Sequence, residues 1–210
     1  MTINWSEFLV IVVAHALAVA SPGPDFAIVL KQSLAHGRRA AVWTSIGIGA
    51  GLSIHITYCV LGLGWLLHDS PGVLGVLQYL GAAYLGYVGV QALRSPPRTS
   101  DLNLAAINLA PTNWAAGVTG FLVNVLNPKA ALFFIALFVL RVSPQTPKLI
   151  QAAYGVWMTL TSIAWFCFVS VVFTQPVVRG KFLHYGHWID RTLGVVFLCF
   201  ALSLALTSLR

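Results

Sequence analysis

The chain has 210 residues, of which 58% are apolar and only 8% are charged. A soluble domain of this size carries about 25% charged residues, so the composition excludes a water-covered globular fold and indicates an integral membrane protein. The net charge of +7 does not indicate nucleic-acid binding, because the twelve basic residues are scattered between apolar segments and form no basic arm or patch.

Six apolar segments follow one another along the chain, and each is long enough to cross a hydrocarbon core about 30 Å thick. They cover approximately residues 4–34, 39–67, 71–93, 114–140, 149–174 and 192–209. The longer segments have to tilt or bend in the bilayer. We therefore predict an all-α integral membrane protein with six transmembrane helices in one domain, residues 1–210.

The first segment contains Ala18, Val19 and Ala20, a run that resembles a signal-peptidase site. A cleaved signal peptide has a basic region before its apolar core. Here the residues before the core include no lysine or arginine and carry Glu7 instead. We therefore expect this segment to be retained as a membrane span.

The basic residues predict the orientation of the chain in the membrane. Eight of them flank the first, third and fifth connections, and three lie on the opposite side. Because basic loops stay in the cytoplasm, both termini are predicted to be periplasmic. The eight are Lys31, Arg38, Arg39, Arg94, Arg98, Arg179, Lys181 and Arg191, and the three are Arg141, Lys148 and Arg210.

Two observations predict an internal duplication into repeats at about 1–94 and 114–210, joined by a linker at 95–113. Residues 78–95 align without gaps on residues 191–208, with six identical positions in eighteen. The first and fourth segments are both broken by proline. Three spans per repeat is an odd number, so the second repeat would be inverted, and paired breaks in inverted repeats mark a transporter's binding site.

The first segment breaks at Pro22, Gly23 and Pro24, and the fourth breaks at Pro128. Proline lacks a backbone donor and clashes with the preceding turn. Backbone groups that are freed in hydrocarbon must find other partners or line a wet cavity. We predict that these four residues form hinges, and that Pro24 and Pro128 lie in the first turn of a new half-helix.

Three polar residues accompany the breaks. Ser21 and Asn127 are candidate caps for the two half-helices. Asn124 lies one helical turn before Asn127. Its side chain either lines the same cavity or forms a hydrogen bond between helices, and the sequence favours neither interpretation.

Asp25 and Lys129 are the only charged residues well inside the predicted spans. Each costs about 2.5–3.5 kcal/mol at a bilayer centre, so their presence needs a reason. They either form an ion pair that joins the repeats or bind a zwitterion, with Asp25 near its ammonium group and Lys129 near its carboxylate. These two roles are compatible if the substrate breaks the pair.

The helix dipole favours the zwitterion, because no structural benefit is expected from a lysine at a positive helix N-terminus, whereas a bound carboxylate is stabilised there. The predicted substrate-binding residues are Pro24, Asp25, Asn124, Asn127 and Lys129.

Two residues are candidates for proton coupling. Asp25 is the first, because a carboxyl group in hydrocarbon can take up and release a proton near neutral pH. His55, in the middle of the second span, is the other candidate, although a lone membrane histidine is more often a hydrogen-bonded packing residue. For His15 we expect the packing role.

Small residues four apart predict close helix packing, and the same faces could serve sliding or homodimer contacts. The pairs are Gly47 with Gly51, Ala82 with Gly86, and Ala116 with Gly120. The three cysteines lie far apart in apolar spans and show no metal-ligand spacing. They are Cys59, Cys167 and Cys199. We predict no metal and no cofactor.

Four segments together resemble the LysE/RhtB family of amino-acid exporters. They are residues 21–26 (SPGPDF), the glycine-rich second span with His55, residues 80–86 (LGAAYLG) and residues 124–130 (NVLNPKA). Their order and spacing agree with the family across nearly the whole chain. The chain departs from the family at Gln78, where members often have lysine.

The resemblance implies a bacterial inner-membrane protein that exports amino acids or derivatives, driven by the proton gradient. It also implies that the two broken segments carry the function. A cationic amino acid would need a second acid in the cavity, and the remaining acids lie at span ends or in connections. They are Glu7, Asp69, Asp101 and Asp190. We therefore expect a neutral substrate.

Three other classes explain the sequence less well. A membrane-embedded enzyme could draw on Ser21, His55 and Asp25, but the chain has no HExxH, no Gly-x-Ser-x-Gly and no metal-ligand cluster. A membrane scaffold explains the apolar spans but not two charged, broken helices. A passive channel would differ from an exporter in its insensitivity to a proton uncoupler. We therefore predict a transporter, with no enzymatic activity.

Overall fold

The structure, a computed structural model, describes residues 4–21, 23–69, 71–94, 110–143 and 145–175, together with twelve positions between 185 and 202. The described chain is helical and contains no strand, which confirms the predicted all-α class for these residues. The helices are α1 (Trp5–Ala20), α2 (Pro24–Ala35), α3 (Gly37–Asp69), α4 (Pro71–Leu93), α5 (Asn113–Val125), α6 (Pro128–Arg141) and α7 (Lys148–Val172).

Two helices are long and apolar enough to cross a membrane on their own, α3 over Gly37–Gly62 and the whole of α7. The described residues provide up to four spans if the bent pairs α1–α2 and α5–α6 each count as one. α4 has the bounds predicted for the third span. Most of the predicted sixth span, 192–209, and of the predicted linker, 95–113, lies outside the described residues. The six-span count and the inverted repeat therefore stay predictions.

Apolar side chains form exposed stripes on the outer faces of the helices. Leu9 and Val13 lie one turn apart on α1, and Val156 and Leu160 lie one turn apart on α7. All four are more than 50% exposed. Extended apolar surfaces of this kind are unfavourable in water, so bilayer lipid is the environment that this fold requires.

α3 is the central helix and packs most extensively against α5, α7 and α2. Two clusters of buried apolar side chains surround it. One cluster joins α1, α3, α6 and α7 and includes Ile11, Phe134 and Met158. The other joins α2, α3 and α7 and includes Val29 and Phe166. Because α3 belongs to both clusters, it holds the broken helices against a common support.

The main chains of α3 and α5 touch where the sequence provides glycine. A Cβ atom added at Gly47 would overlap the carbonyl oxygen of Gly117, and one added at Gly120 would overlap the carbonyl oxygen of Thr44. Backbones come this close only where small residues face each other. The structure thus confirms the predicted close packing at Gly47 and Gly120.

Glu7 ties the start of α1 to the turn between α6 and α7. Its buried carboxylate accepts hydrogen bonds from the backbone N–H of Ser143 at 3.0 Å and from the hydroxyl of Thr146 at 3.1 Å. The side chain of Asn4 caps the same helix end by accepting from the N–H of Glu7. These bonds compensate a charge that would be costly to bury alone.

We expect Gly47→Ala to destabilise the protein by about 1–3 kcal/mol, because the added Cβ meets main-chain atoms that cannot rotate away. Thermal unfolding of the detergent-solubilised protein, followed by the loss of its monodisperse size-exclusion peak, measures the effect.

Gly62→Ala is the matched control, since it lies on the same helix and an added Cβ meets nothing within 4 Å there. This variant should keep or slightly raise the Tm, because alanine favours helix over glycine. Equal Tm values for the two variants would contradict the close contact between α3 and α5.

Candidate functional site

Both proline breaks bend their helices sharply. α1 ends at Ala20 and α2 begins at Pro24, with a bend of 50° between them. α5 ends at Val125 and α6 begins at Pro128, with a bend of 56°. Each proline lies in the first turn of its new half-helix, as predicted. Pro22 lies outside the described residues.

The two half-helices are capped differently. Asn127 caps α6 as predicted, because its side-chain oxygen accepts from the N–H of Lys129 at 3.0 Å. The prediction that Ser21 caps α2 is wrong. The N-cap of α2 is Gly23, and Ser21 is the C-cap of α1. Since α2 begins only at Pro24, Ser21 lies too early in the chain to reach the first N–H groups of that helix.

Asp25 connects the first break to the second. Its Oδ2 atom accepts hydrogen bonds from the side-chain amides of Asn124 at 3.0 Å and Asn127 at 3.2 Å. Its Oδ1 atom and the Oδ1 atom of Asn124 are buried and have no hydrogen-bond partner among the described residues. An unpartnered carboxylate oxygen together with an unpartnered amide oxygen forms a site for a positively charged donor.

Lys129 connects the second break back to the first. Its ammonium group donates to the hydroxyl of Ser21 at 2.8 Å and to the carbonyl oxygen of Ser21 at 3.2 Å. Ser21 ends α1, where carbonyl groups lack helical partners and the dipole is negative. The expectation that a lysine at this position has no structural benefit is therefore wrong, because its side chain reaches the end of a different helix.

Gly23 leaves room for this connection. A Cβ atom added at Gly23 would lie 3.3 Å from Nζ and 3.3 Å from Cδ of Lys129, so the lysine side chain crosses directly over the glycine. The predicted hinge residue thus has a packing role as well. A Cβ atom at this position would force the side chain of Lys129 to shift by a few tenths of an ångström.

A cavity of about 50 Å³ lies where the breaks meet. This exceeds the volume of about 10–15 Å³ that a cavity needs to hold a water molecule, so small polar groups can enter it. Four of the five predicted substrate-binding residues line it, namely Asp25, Asn124, Asn127 and Lys129. Pro24 starts α2 beside Asp25 and is not a lining residue. The remaining wall is largely apolar and includes Leu52, Phe26, Phe133, Phe134 and Phe166.

His55 is not a lining residue of the cavity, but it contacts the main chain of Asn124, which is one. Its Nε2 atom lies 3.0 Å from the backbone oxygen of Asn124, and its Nδ1 atom lies 2.9 Å from the hydroxyl of Tyr58. A carbonyl oxygen only accepts, so Nε2 carries a proton and donates it to the backbone oxygen of Asn124. His55 therefore fixes the main chain of α5 at the residue that contacts Asp25.

Besides Ser21, which was predicted only as a helix cap, two polar residues of the cavity wall were not predicted as site residues. The sequence predicts a packing role for His15 and gives no signal for Ser162. Both line the cavity, and His15 Nε2 lies 3.1 Å from Ser162 Oγ although the residues are 147 positions apart in the chain. The location of His15 in the broken first span is the one sequence feature that could have pointed to it.

The site lies within a segment that matches a known family. The model of the LysE type translocator matches residues 16–208, which include both breaks and every lining residue of the cavity except His15. The chain belongs to this family. The resemblance predicted from the four sequence segments is thereby confirmed.

Several relatives of the chain are named as efflux proteins. Threonine efflux proteins of Salmonella typhi and Escherichia coli strain K12 are each 28% identical over 204 residues, which is 95% of this chain and 98% of each relative. A homoserine/homoserine lactone efflux protein of Salmonella typhimurium is 32% identical over 151 residues, 72% of this chain and 71% of that protein. No solved structure matches the chain.

We expect Asn127→Ala to lower both stability and transport in this translocator. The loss of the α6 cap costs about 1 kcal/mol, and Asp25 loses one of its two amide donors. Asn127→Ser separates the two effects, because serine caps a helix nearly as well while its shorter side chain does not reach Asp25.

The Tm in detergent and the initial rate of transport in proteoliposomes check both variants. Asn127→Ser should recover most of the stability but not the transport rate. Full recovery of transport by Asn127→Ser would show that the bond to Asp25 has no functional role.

Proposed function

We propose that this protein is a secondary active exporter of a small neutral amino acid or derivative, coupled to protons, in the bacterial inner membrane. One observation carries the proposal. Two broken helices meet at a single cavity, to which the first contributes a carboxylate and the second an ammonium group. The names of the relatives, which export threonine and homoserine, agree with this substrate class.

The charges of the cavity match the two ends of an amino acid. The unpartnered oxygens of Asp25 and Asn124 are acceptors for the substrate's ammonium group. The ammonium group of Lys129, at the positive N-terminus of α6, suits the substrate's carboxylate. On binding, that carboxylate replaces the oxygens of Ser21 as the acceptor for Lys129.

The lining of the cavity favours a neutral substrate. Asp25 is the acidic residue among the described residues that line it. Its carboxylate is matched by the ammonium group that every amino acid carries, and a cationic side chain would need a second acid. Phe26, Phe133 and Phe134 surround the rest of the volume and suit a small side chain without charge.

We assign proton coupling to Asp25. A proton and the substrate's ammonium group compete for the same carboxylate, so binding of one favours release of the other. That competition is what an exchanger of protons for amino acids requires. For His55, the second candidate, the bonds to Asn124 and Tyr58 support a positioning role.

The proposal keeps the orientation given by the basic residues, with both termini in the periplasm. Catalysis at the same residues has less support. Ser21 accepts from Lys129 and His55 bonds to Asn124 and Tyr58, so the described contacts do not pair Ser21 with His55, the serine and histidine that the enzyme alternative would use.

Purified protein in proteoliposomes loaded with radiolabelled threonine tests the proposal. A proton gradient across the membrane should drive threonine movement, and a proton uncoupler should abolish it. Lys129→Ala should reduce the rate about tenfold or more, because the substrate's carboxylate loses a charged donor. Val13→Leu, on the lipid-exposed face of α1, is the control for insertion and should transport normally. Full activity in Lys129→Ala would overturn the proposed binding mode.

Asp25→Asn and His55→Gln distinguish the two candidates for proton coupling. Asp25→Asn should lose uncoupler-sensitive transport, because the amide cannot exchange a proton. His55→Gln should retain it, because glutamine can still donate to the backbone oxygen of Asn124. Loss of uncoupler sensitivity in His55→Gln, with residual exchange intact, would transfer the coupling role from Asp25 to His55.

A further inference from the structure

His15 and Ser162 form a polar pair on the cavity wall that the proposed function does not use. His15 lies on α1 and is 2% exposed, and Ser162 lies on α7 and is fully buried. The Nε2 atom of His15 lies 3.1 Å from the carbonyl oxygen of Met158 and 3.1 Å from the hydroxyl of Ser162. The ring is thus held on one edge by two groups of the same helix.

These contacts define the tautomer of the neutral ring. The carbonyl oxygen of Met158 only accepts, so Nε2 of His15 carries the proton and Nδ1 is left as an acceptor. Nδ1 is buried and has no hydrogen-bond partner among the described residues. A buried acceptor without a partner is unfavourable unless something else donates to it.

The surroundings of His15 are otherwise aromatic. Its ring lies 5.9 Å from the ring of Trp157 and 6.1 Å from the ring of Phe134, measured between centroids. Neither contact supplies a donor to Nδ1. Because His15 lines the cavity, a ligand bound there can supply the missing donor.

We propose that His15 recognises a hydroxyl group on the side chain of the transported amino acid, which donates a hydrogen bond to Nδ1. Ser162 and Met158 hold the ring in the required tautomer and orientation. The substrate class is then a neutral amino acid with a hydroxyl-bearing side chain, bound with its charged ends at the breaks. This inference rests on the proposed function, because it needs an amino acid in the cavity.

Steric mimics provide the test, because valine has the shape of threonine with a methyl group in place of the hydroxyl. Uncoupler-sensitive transport of radiolabelled threonine and valine is measured in proteoliposomes for the wild type, His15→Leu and His15→Asn. The quantity compared is the ratio of kcat/KM for threonine to that for valine. Both substrates carry the same ammonium and carboxylate groups, so the ratio reports the side chain alone.

The wild type should favour threonine by about tenfold or more, since a site built to bind a hydroxyl rejects the analogue that lacks it. His15→Leu should bring the ratio close to one, mainly by slowing threonine. His15→Asn keeps an acceptor near the position of Nδ1 and should restore part of the preference. Valine transport by His15→Leu shows that this variant is folded.

Three outcomes overturn the inference and leave the proposed function standing. They are a wild type that transports both amino acids equally, a ratio unchanged in His15→Leu, and an equal loss of both substrates in His15→Leu and His15→Asn. The last result would mean that Nδ1 binds the ammonium group or a structural water. A wild type that moves neither amino acid in an uncoupler-sensitive way would instead count against the proposed function itself.

Discussion

Inside a bilayer, charged side chains and main-chain groups without helical hydrogen bonds must find their partners within the protein, because hydrocarbon forms no hydrogen bonds. In this chain the two broken helices satisfy each other. Asp25, at the start of α2, takes its hydrogen bonds from asparagines that flank the other break. Lys129, at the start of α6, gives its hydrogen bonds to the residue that ends α1. Each break thus depends on the other, and the packing around α3 keeps the two together.

The same arrangement leaves acceptor atoms of the site available to a ligand. Asp25 and Asn124 each keep one buried oxygen without a partner in the described structure. Such atoms reduce stability, and a ligand with a suitable donor recovers the loss. Stability and binding therefore draw on the same few residues. His55 and Asn127 contribute to both stability and binding. His55 fixes the main chain of α5 at Asn124, and Asn127 caps the end of α6 that carries Lys129.

The sequence predicted the parts of the site whose signals are local. Proline in an apolar run indicates a break wherever it occurs, and a charge in such a run, as at Asp25, calls for a partner. The contact of Lys129 with Ser21 could not be predicted, because it depends on where α6 crosses the end of α1. The pair of His15 and Ser162 was hidden for the same reason, since helical periodicity shows the faces of one helix but not which other helix they meet.

For the fold, the broken spans and the close glycine contact followed from the sequence. The helix α4 was also predicted, with the same bounds. The number of spans and the inversion of the repeats stay predictions, because most of the predicted sixth span lies outside the described residues.

The glycine contact between α3 and α5 affects how these helices can move. At Gly47 and Gly120 no side chain stands between the two main chains. A displacement of one helix along the other therefore requires no change of rotamer at this contact. Around Phe8 the packing is different, because its ring stacks on Tyr154 and meets Trp157 edge to face. A rearrangement there would require several bulky rings to turn together. Among the described residues, the contact between α3 and α5 at these glycines can thus shift without side-chain rearrangement, whereas the contact between α1 and α7 is interlocked by aromatic rings.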